Sequence, residues 1–196
     1  AETVRDLLNK LVFKKDIFRE SDLTYDDLVE KPLNYSDHEK YRDVMVTARI
    51  DGSNILRIGI EIQNYRDNSM PVRMMIYDAT NYGNQVKEQY QRMSDLPSNG
   101  TLIPIIGIVL KLGDSKWKCP DKISCFFKTG YPEIVRQKIN DYSITIVDSE
   151  DYEDEELLNM ESNLGIILLA DKYSSDSARL KELTEDVRFS RELSDV

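Results

Sequence analysis

Between residues 43 and 63 the chain places an apolar side chain at every second position, twice over. This alternation limits the fold more than any other feature. Val44, Val46, Ala48 and Ile50 alternate with Asp43, Met45, Thr47 and Arg49. Asp51-Gly52 interrupts the pattern with a turn signal. Leu56, Ile58, Ile60 and Ile62 then alternate with Arg57, Gly59, Glu61 and Gln63. A period of two is the signature of a strand with one apolar face, so the stretch reads as a β-hairpin. All its regularly spaced apolar residues carry even numbers, and a hairpin that buries one face must pair even with even. The loop then holds an odd number of residues, and a three-residue loop with Gly52 in the left-handed conformation fits.

The chemical consequence lies on the other face. Asp43, Glu61 and Gln63 are all odd, and Asp43 falls opposite Glu61 or near it. Directly opposed side chains have Cβ atoms about 4.5–5.5 Å apart. Two carboxylates that close repel unless a cation lies between them. Oxygen ligands without thiolate or imidazole suit Mg²⁺ or Mn²⁺. The plain alternative is a solvated sheet face. Against it stands the next segment, residues 70–93, which reads as a helix with Pro71 in its first turn and an interruption at Gly83-Asn84. Its apolar residues Val72, Met75, Ile76 and Ala79 are expected to pack on the sheet and cover much of it.

The remaining elements follow from periodicity. Residues 4–13 space Val4, Leu7, Leu8, Leu11 and Val12 as an amphipathic helix. Residues 14–40 read as polar and irregular, with Ser21-Asp22 as a candidate cap and Lys31-Pro32 as a break. The apolar run 101–112 predicts a buried central strand closed by a turn at Gly113-Asp114, and 143–147 predicts another strand. An acidic run from Asp148 to Glu156 leads into a helix through Leu157, Leu158, Leu164, Ile167 and Leu168, its charges read as a solvated helix N-terminus. A last amphipathic helix is expected over 175–189. The order helix, hairpin, helix, strand, then further helices predicts an α/β sandwich, with 1–196 as a single domain.

Composition narrows the chemistry. The 196 residues are 40% hydrophobic and 32% charged, which allows one domain with a real core. His38 is the only histidine, and Cys119 and Cys125 are the only cysteines. A tetrahedral zinc site is disfavoured, and so is a triad built on His38 in its polar surroundings. Any catalysis falls to carboxylates. No apolar run approaches the roughly 20 residues of a membrane helix, and the first residues lack a signal-peptide pattern. The expectation is a cytoplasmic protein with reduced thiols and no membrane partner. The formal net charge of −10 opposes nonspecific DNA binding, though it allows a locally basic groove.

The stretch ILRIGIEIQNYRDNSMPVRMMIYDATNYGNQV resembles the recombination-promoting nuclease / putative transposase family, part of the PD-(D/E)XK nuclease superfamily. The resemblance rests on Glu61-Ile62-Gln63, on Met70-Pro71-Val72-Arg73 and on Tyr77. LIPIIGIVLKLGDSKWKCP resembles the family's next strand and its Gly-x-x-x-Trp turn. DLLNKLVF resembles the family's first helix, with Asp6 and Asn9 at matching places, and Tyr41-Arg42-Asp43-Val44 resembles the segment that carries the superfamily's first acidic ligand.

The resemblance implies a restriction-endonuclease-like PD-(D/E)XK core with additional C-terminal helices. It implies a metal-dependent DNA endonuclease linked to recombination or mobile DNA. Asp43 and Glu61 would ligate the metal, joined by the carbonyl of Ile62. Gln63 takes the place of the superfamily's lysine; an amide can orient water but carries no charge. Arg73 either supplies the missing positive charge or pairs with Asp67 or Asp78. Tyr77 and Tyr82 read as packing residues, and Trp117 as a cap on the core. DNA contact is expected around Arg73, Arg57 and Arg49. Cutting both strands calls for two centres, which suggests a homodimer. The competing reading is a nuclease-fold protein without activity that acts as a binding or regulatory factor.

Overall fold

The computed structural model describes residues 1–26, 42–50, 52, 54–113 and 115–189. The Lys31-Pro32 break, His38, Tyr41 and the turn residues Asp51 and Asp114 lie outside the described residues. The protein is a mixed α/β structure built on one five-stranded sheet, in the order β1 (Leu23–Tyr25), β2 (Val44–Ile50), β3 (Asn54–Gln63), β4 (Ile105–Lys111), β5 (Thr145–Asp148). The β1–β2 and β2–β3 pairs are antiparallel, and β3–β4 and β4–β5 are parallel. Among the described residues no helix is long and apolar enough to cross a membrane.

The hairpin has the register that parity demands. Val44 pairs with Ile60, Val46 with Ile58, Ala48 with Leu56 and Ile50 with Asn54, and Gly52 lies at φ +74°. The even residues of β2, β3 and β4 face one layer. There Val46, Ala48, Leu56, Ile58, Ile60, Ile108 and Leu110 bury against the first helix and the C-terminal helices. The first helix is α1 (Glu2–Asp6), continuing as a π-helical segment Leu7–Val12. Val4, Leu7, Leu8 and Leu11 are its buried face. The odd face is covered by α2 (Met70–Tyr90), which runs through Gly83-Asn84 without interruption.

The phase of α2 differs from expectation. Val72 and Ile76 are 38% and 50% exposed, and Ala79 is also exposed. Met70, Met74 and Tyr77 are the residues that pack on the sheet, with Val109 and Ile144. Both stripes have helical spacing, because the first turns of α2 are apolar nearly all round. Shape decides between them. Glycines at Gly59 and Gly107 hollow the sheet face, and a Cβ at Gly107 would lie 2.8 Å from the Met74 methyl. The long unbranched Met74 fills that hollow, as β-branched side chains cannot.

Other boundaries moved for local reasons. β1, inside the stretch read as irregular, is a short edge strand paired to β2, and three residues give no visible period. Asp22 accepts a hydrogen bond from the Arg19 main-chain N–H (2.8 Å), capping a single 3-10 turn rather than a long helix. β4 starts after Pro104, which has no N–H to donate. The helix expected through Leu157–Leu168 is two helices, α4 (Asp154–Leu158) and α5 (Leu164–Lys172), preceded by the short α3 (Glu133–Arg136). Gly165 lets the two meet, since a Cβ there would lie 1.9 Å from the Leu157 carbonyl oxygen. The last helix, α6 (Ser177–Thr184), is shorter than the expected 175–189.

Candidate active site

Asp43 immediately precedes β2, one step beyond the Val44–Ile60 pair, which is the place of Glu61 on β3. Its Oδ2 accepts a hydrogen bond from the Ile62 main-chain N–H at 2.7 Å. The side chain thus extends the strand ladder while staying exposed. Glu61 is 3% exposed. Its Oε2 receives Arg73 Nη2 at 3.2 Å, whereas its Oε1 is buried without a partner. Burial and then the neighbouring Asp43 charge push the Glu61 carboxyl up to about 7, against the opposing pull of Arg73 and Arg42.

Arg73 divides its guanidinium. Nη1 bonds Asp67 at 2.7 Å, while Nη2 reaches both Glu61 and the Tyr77 hydroxyl, the latter at 3.5 Å. Burial disfavours its charge, but hydrogen bonds to Tyr77 and Asp67 outweigh that and hold its pKa above the ordinary value. The shorter contact to Asp67 makes that residue the principal partner, which leaves Glu61 incompletely compensated. Gln63 is 3% exposed on the same face, and its Nε2 donates to the Tyr65 carbonyl at 3.2 Å. The structure therefore brings Asp43, Glu61, Ile62, Gln63, Arg73 and Tyr77 together at one end of the hairpin.

Asp6 and Asn9 stand apart, on the helix against the opposite sheet face. Asp6 accepts from Arg5 and from the Ser162 main-chain N–H at 2.6 Å. Asn9 clamps Phe18 through its carbonyl and N–H. Both satisfy main-chain groups, so the matching places in the first helix serve packing. The expected arginine patch also dissolves. Arg73 is committed to carboxylates, Arg57 donates to Asn81 at 2.9 Å, and only Arg49 is exposed. Tyr82 takes the Ile105 main-chain N–H at 3.1 Å, a packing role as expected.

Two neighbours of the site were not singled out from sequence. Arg42 is fully buried, ion-paired to Asp78, with its guanidinium carbon 5.5 Å from the centre of the Tyr77 ring. Tyr142 also bonds Asp78. Gly59 makes room for this arginine, since a Cβ there would lie 1.5 Å from Arg42 Nη1. Lys111 is the second: it pairs in register with Gln63 on the same face, is 6% exposed and bonds the Gly113 carbonyl through Nζ. A lysine ending an apolar run on an odd number was the available signal. Asp148, beside Lys111 on β5, accepts the Trp117 main-chain N–H and anchors the turn that carries that indole.

The family model described as "Putative transposase, YhgA-like" matches residues 8–193. The chain belongs to this family. No curated protein and no solved structure matches it. Among the described residues, no three His, Cys, Asp or Glu converge as a ready-made metal cluster. What the family member presents is a carboxylate pair with a cationic surround.

Proposed function

We propose that this protein is a divalent-metal-dependent DNA endonuclease with a PD-(D/E)XK core, acting in recombination or mobile-DNA processing. The observation that carries the reading is Glu61. It is a buried carboxylate with one oxygen unpartnered, set against the charge of Asp43. Isolated buried carboxylates are costly, and a cation relieves both the repulsion and the missing partner. Asp43, Glu61 and the Ile62 carbonyl form a hard-oxygen donor set that fits Mg²⁺ or Mn²⁺ completing its shell with water. When bound, such an ion lowers the pKa of water and neutralises charge on a scissile phosphate.

The chain's own residues complete the arrangement. Gln63 orients a water through its amide. Arg73 holds Glu61 in place. Lys111, beside Gln63, supplies the ammonium that Gln63 lacks. The test is cleavage of supercoiled plasmid with Mg²⁺ or Mn²⁺. Glu61→Gln is expected to reduce cleavage by orders of magnitude, and equal cleavage by the variant would overturn the assignment. A second reading, a binding or regulatory factor, draws on the Arg73–Glu61 ion pair, which already neutralises part of the site. It predicts no cleavage by the wild type under any of these conditions.

A further inference from the structure

The crossover from β4 to β5 has a composition unlike the rest of the chain. Residues 115–140 carry six Lys or Arg against two Asp or Glu, in a protein of net charge −10. Where this segment leaves the sheet, it closes a cavity of about 220 Å³. The wall includes Tyr65, Arg66, Lys111, Lys116, Trp117 and Lys118, and among the described residues no carboxylate lines it. Tyr65 is 65% exposed, and Arg66, Lys116 and Lys118 are exposed as well.

The wall joins two aromatic side chains to a set of cations. The Trp117 indole N–H is buried without a hydrogen-bond partner. Asp148 fixes the Trp117 main chain, and the side chain packs against the cluster of Met70, Met74, Tyr77, Val109 and Ile144. The cations are also available. Lys118 has no ion-pair partner among the described residues, and Lys116 makes only a solvent-exposed pair with Asp151 at 2.6 Å. Such a pair contributes little and yields readily to a phosphate.

We infer that this cavity seats an unpaired nucleotide of single-stranded DNA. Its base stacks between Trp117 and Tyr65, and its flanking phosphates rest on Arg66, Lys116 and Lys118. Aromatic faces beside a line of cations are what single strands need, because every base offers a π-face and every linkage a negative charge. A duplex keeps its bases stacked inside and cannot place one in a concave cavity without first unpairing it. The cavity adjoins the site, since Gln63 bonds the Tyr65 carbonyl and Lys111 pairs with Gln63. The inference therefore rests on the nuclease reading for its purpose, and it specifies the substrate as a strand that is single or frayed at the cut.

Trp117 is the only tryptophan, so its fluorescence reports this cavity alone. Titrating the whole protein in EDTA with an oligo(dT) strand is expected to quench the emission saturably, with affinity falling steeply as salt rises. A duplex of the same length is expected to quench at least tenfold more weakly. The double variant Lys116→Glu, Lys118→Glu should lose the quench while keeping the wild-type urea midpoint. Trp117→Phe should bind labelled strand more weakly by anisotropy. The inference is overturned by the absence of quenching, by equal quenching with duplex, or by quenching that survives the charge reversal. Plasmid cleavage with Mg²⁺, run alongside, separates the two ideas. Quenching without cleavage refutes the nuclease and keeps the cavity, and cleavage without quenching does the reverse.

Discussion

A carboxyl raised to about 7 makes Glu61 a pH-dependent liability for the metal-free fold. Between its ordinary value of 4.5 and about 7, the folded protein holds a proton that the unfolded chain has released. The stability this contributes is fully present below the unfolded value and disappears as pH rises through about 7. Glu61→Gln removes the ionisation and keeps the shape. In EDTA the variant is expected to be more stable than wild type at alkaline pH by roughly 1–3 kcal/mol, with the difference vanishing at acidic pH. Urea unfolding at several pH values measures it, and a variant less stable at alkaline pH would mean the Arg73 pair outweighs burial and repulsion. Arg42 illustrates the opposite case, a buried charge whose carboxylate partner is present. Asp78→Ala strips it of that partner and leaves the Tyr142 hydroxyl without its acceptor. The expected loss is about 3–5 kcal/mol by urea unfolding, much larger than a surface change would cause.

At the scale of elements, α2 offers a direct check on its rotational phase. Met74 is fully buried in the hollow left by Gly107, whereas Ile76 is half exposed two positions on. Met74→Ala is expected to cost about 2–5 kcal/mol, and Ile76→Ala less than about 0.5 kcal/mol. Comparable losses at both positions would contradict the observed face. The hairpin was legible in the sequence because its alternation is strict and its turn glycine explicit. α2 was legible as a helix but not in phase, because two apolar stripes share its first turns and sequence alone cannot weigh the hollows of a sheet not yet assembled. β1 was not legible, since its three residues are set by pairing to β2 rather than by any pattern of their own.

For the whole molecule, the site joins the start of β2, the end of β3, α2 and the end of β4. A metal held there binds only the folded chain, so Mg²⁺ or Mn²⁺ should raise the thermal midpoint. At a hundredfold excess over its dissociation constant the gain is about 2.7 kcal/mol. Asp43→Asn should remove most of that response; an undiminished shift in the variant would place the ion elsewhere. The exposed cations also differ from those expected to meet DNA. Arg57 and Arg73 became internal partners once α2 docked, and the basic face passed to the β4–β5 crossover.

By itself the sequence determined the hairpin, its register and its three-residue loop. It thereby determined the gathering of Asp43, Glu61 and Gln63 on one face, because strand parity is a local rule that tertiary contacts cannot alter without exposing the apolar set. Only the tertiary structure decided which charges stand around that face. Arg73 turned inward to Asp67 and Glu61, Arg42 found Asp78, and Lys111 came beside Gln63 through a parallel pairing between strands more than forty residues apart. Pairing of that range exists only once the sheet has assembled. A charge's partner, and hence its role, follows from that packing rather than from its neighbours in sequence.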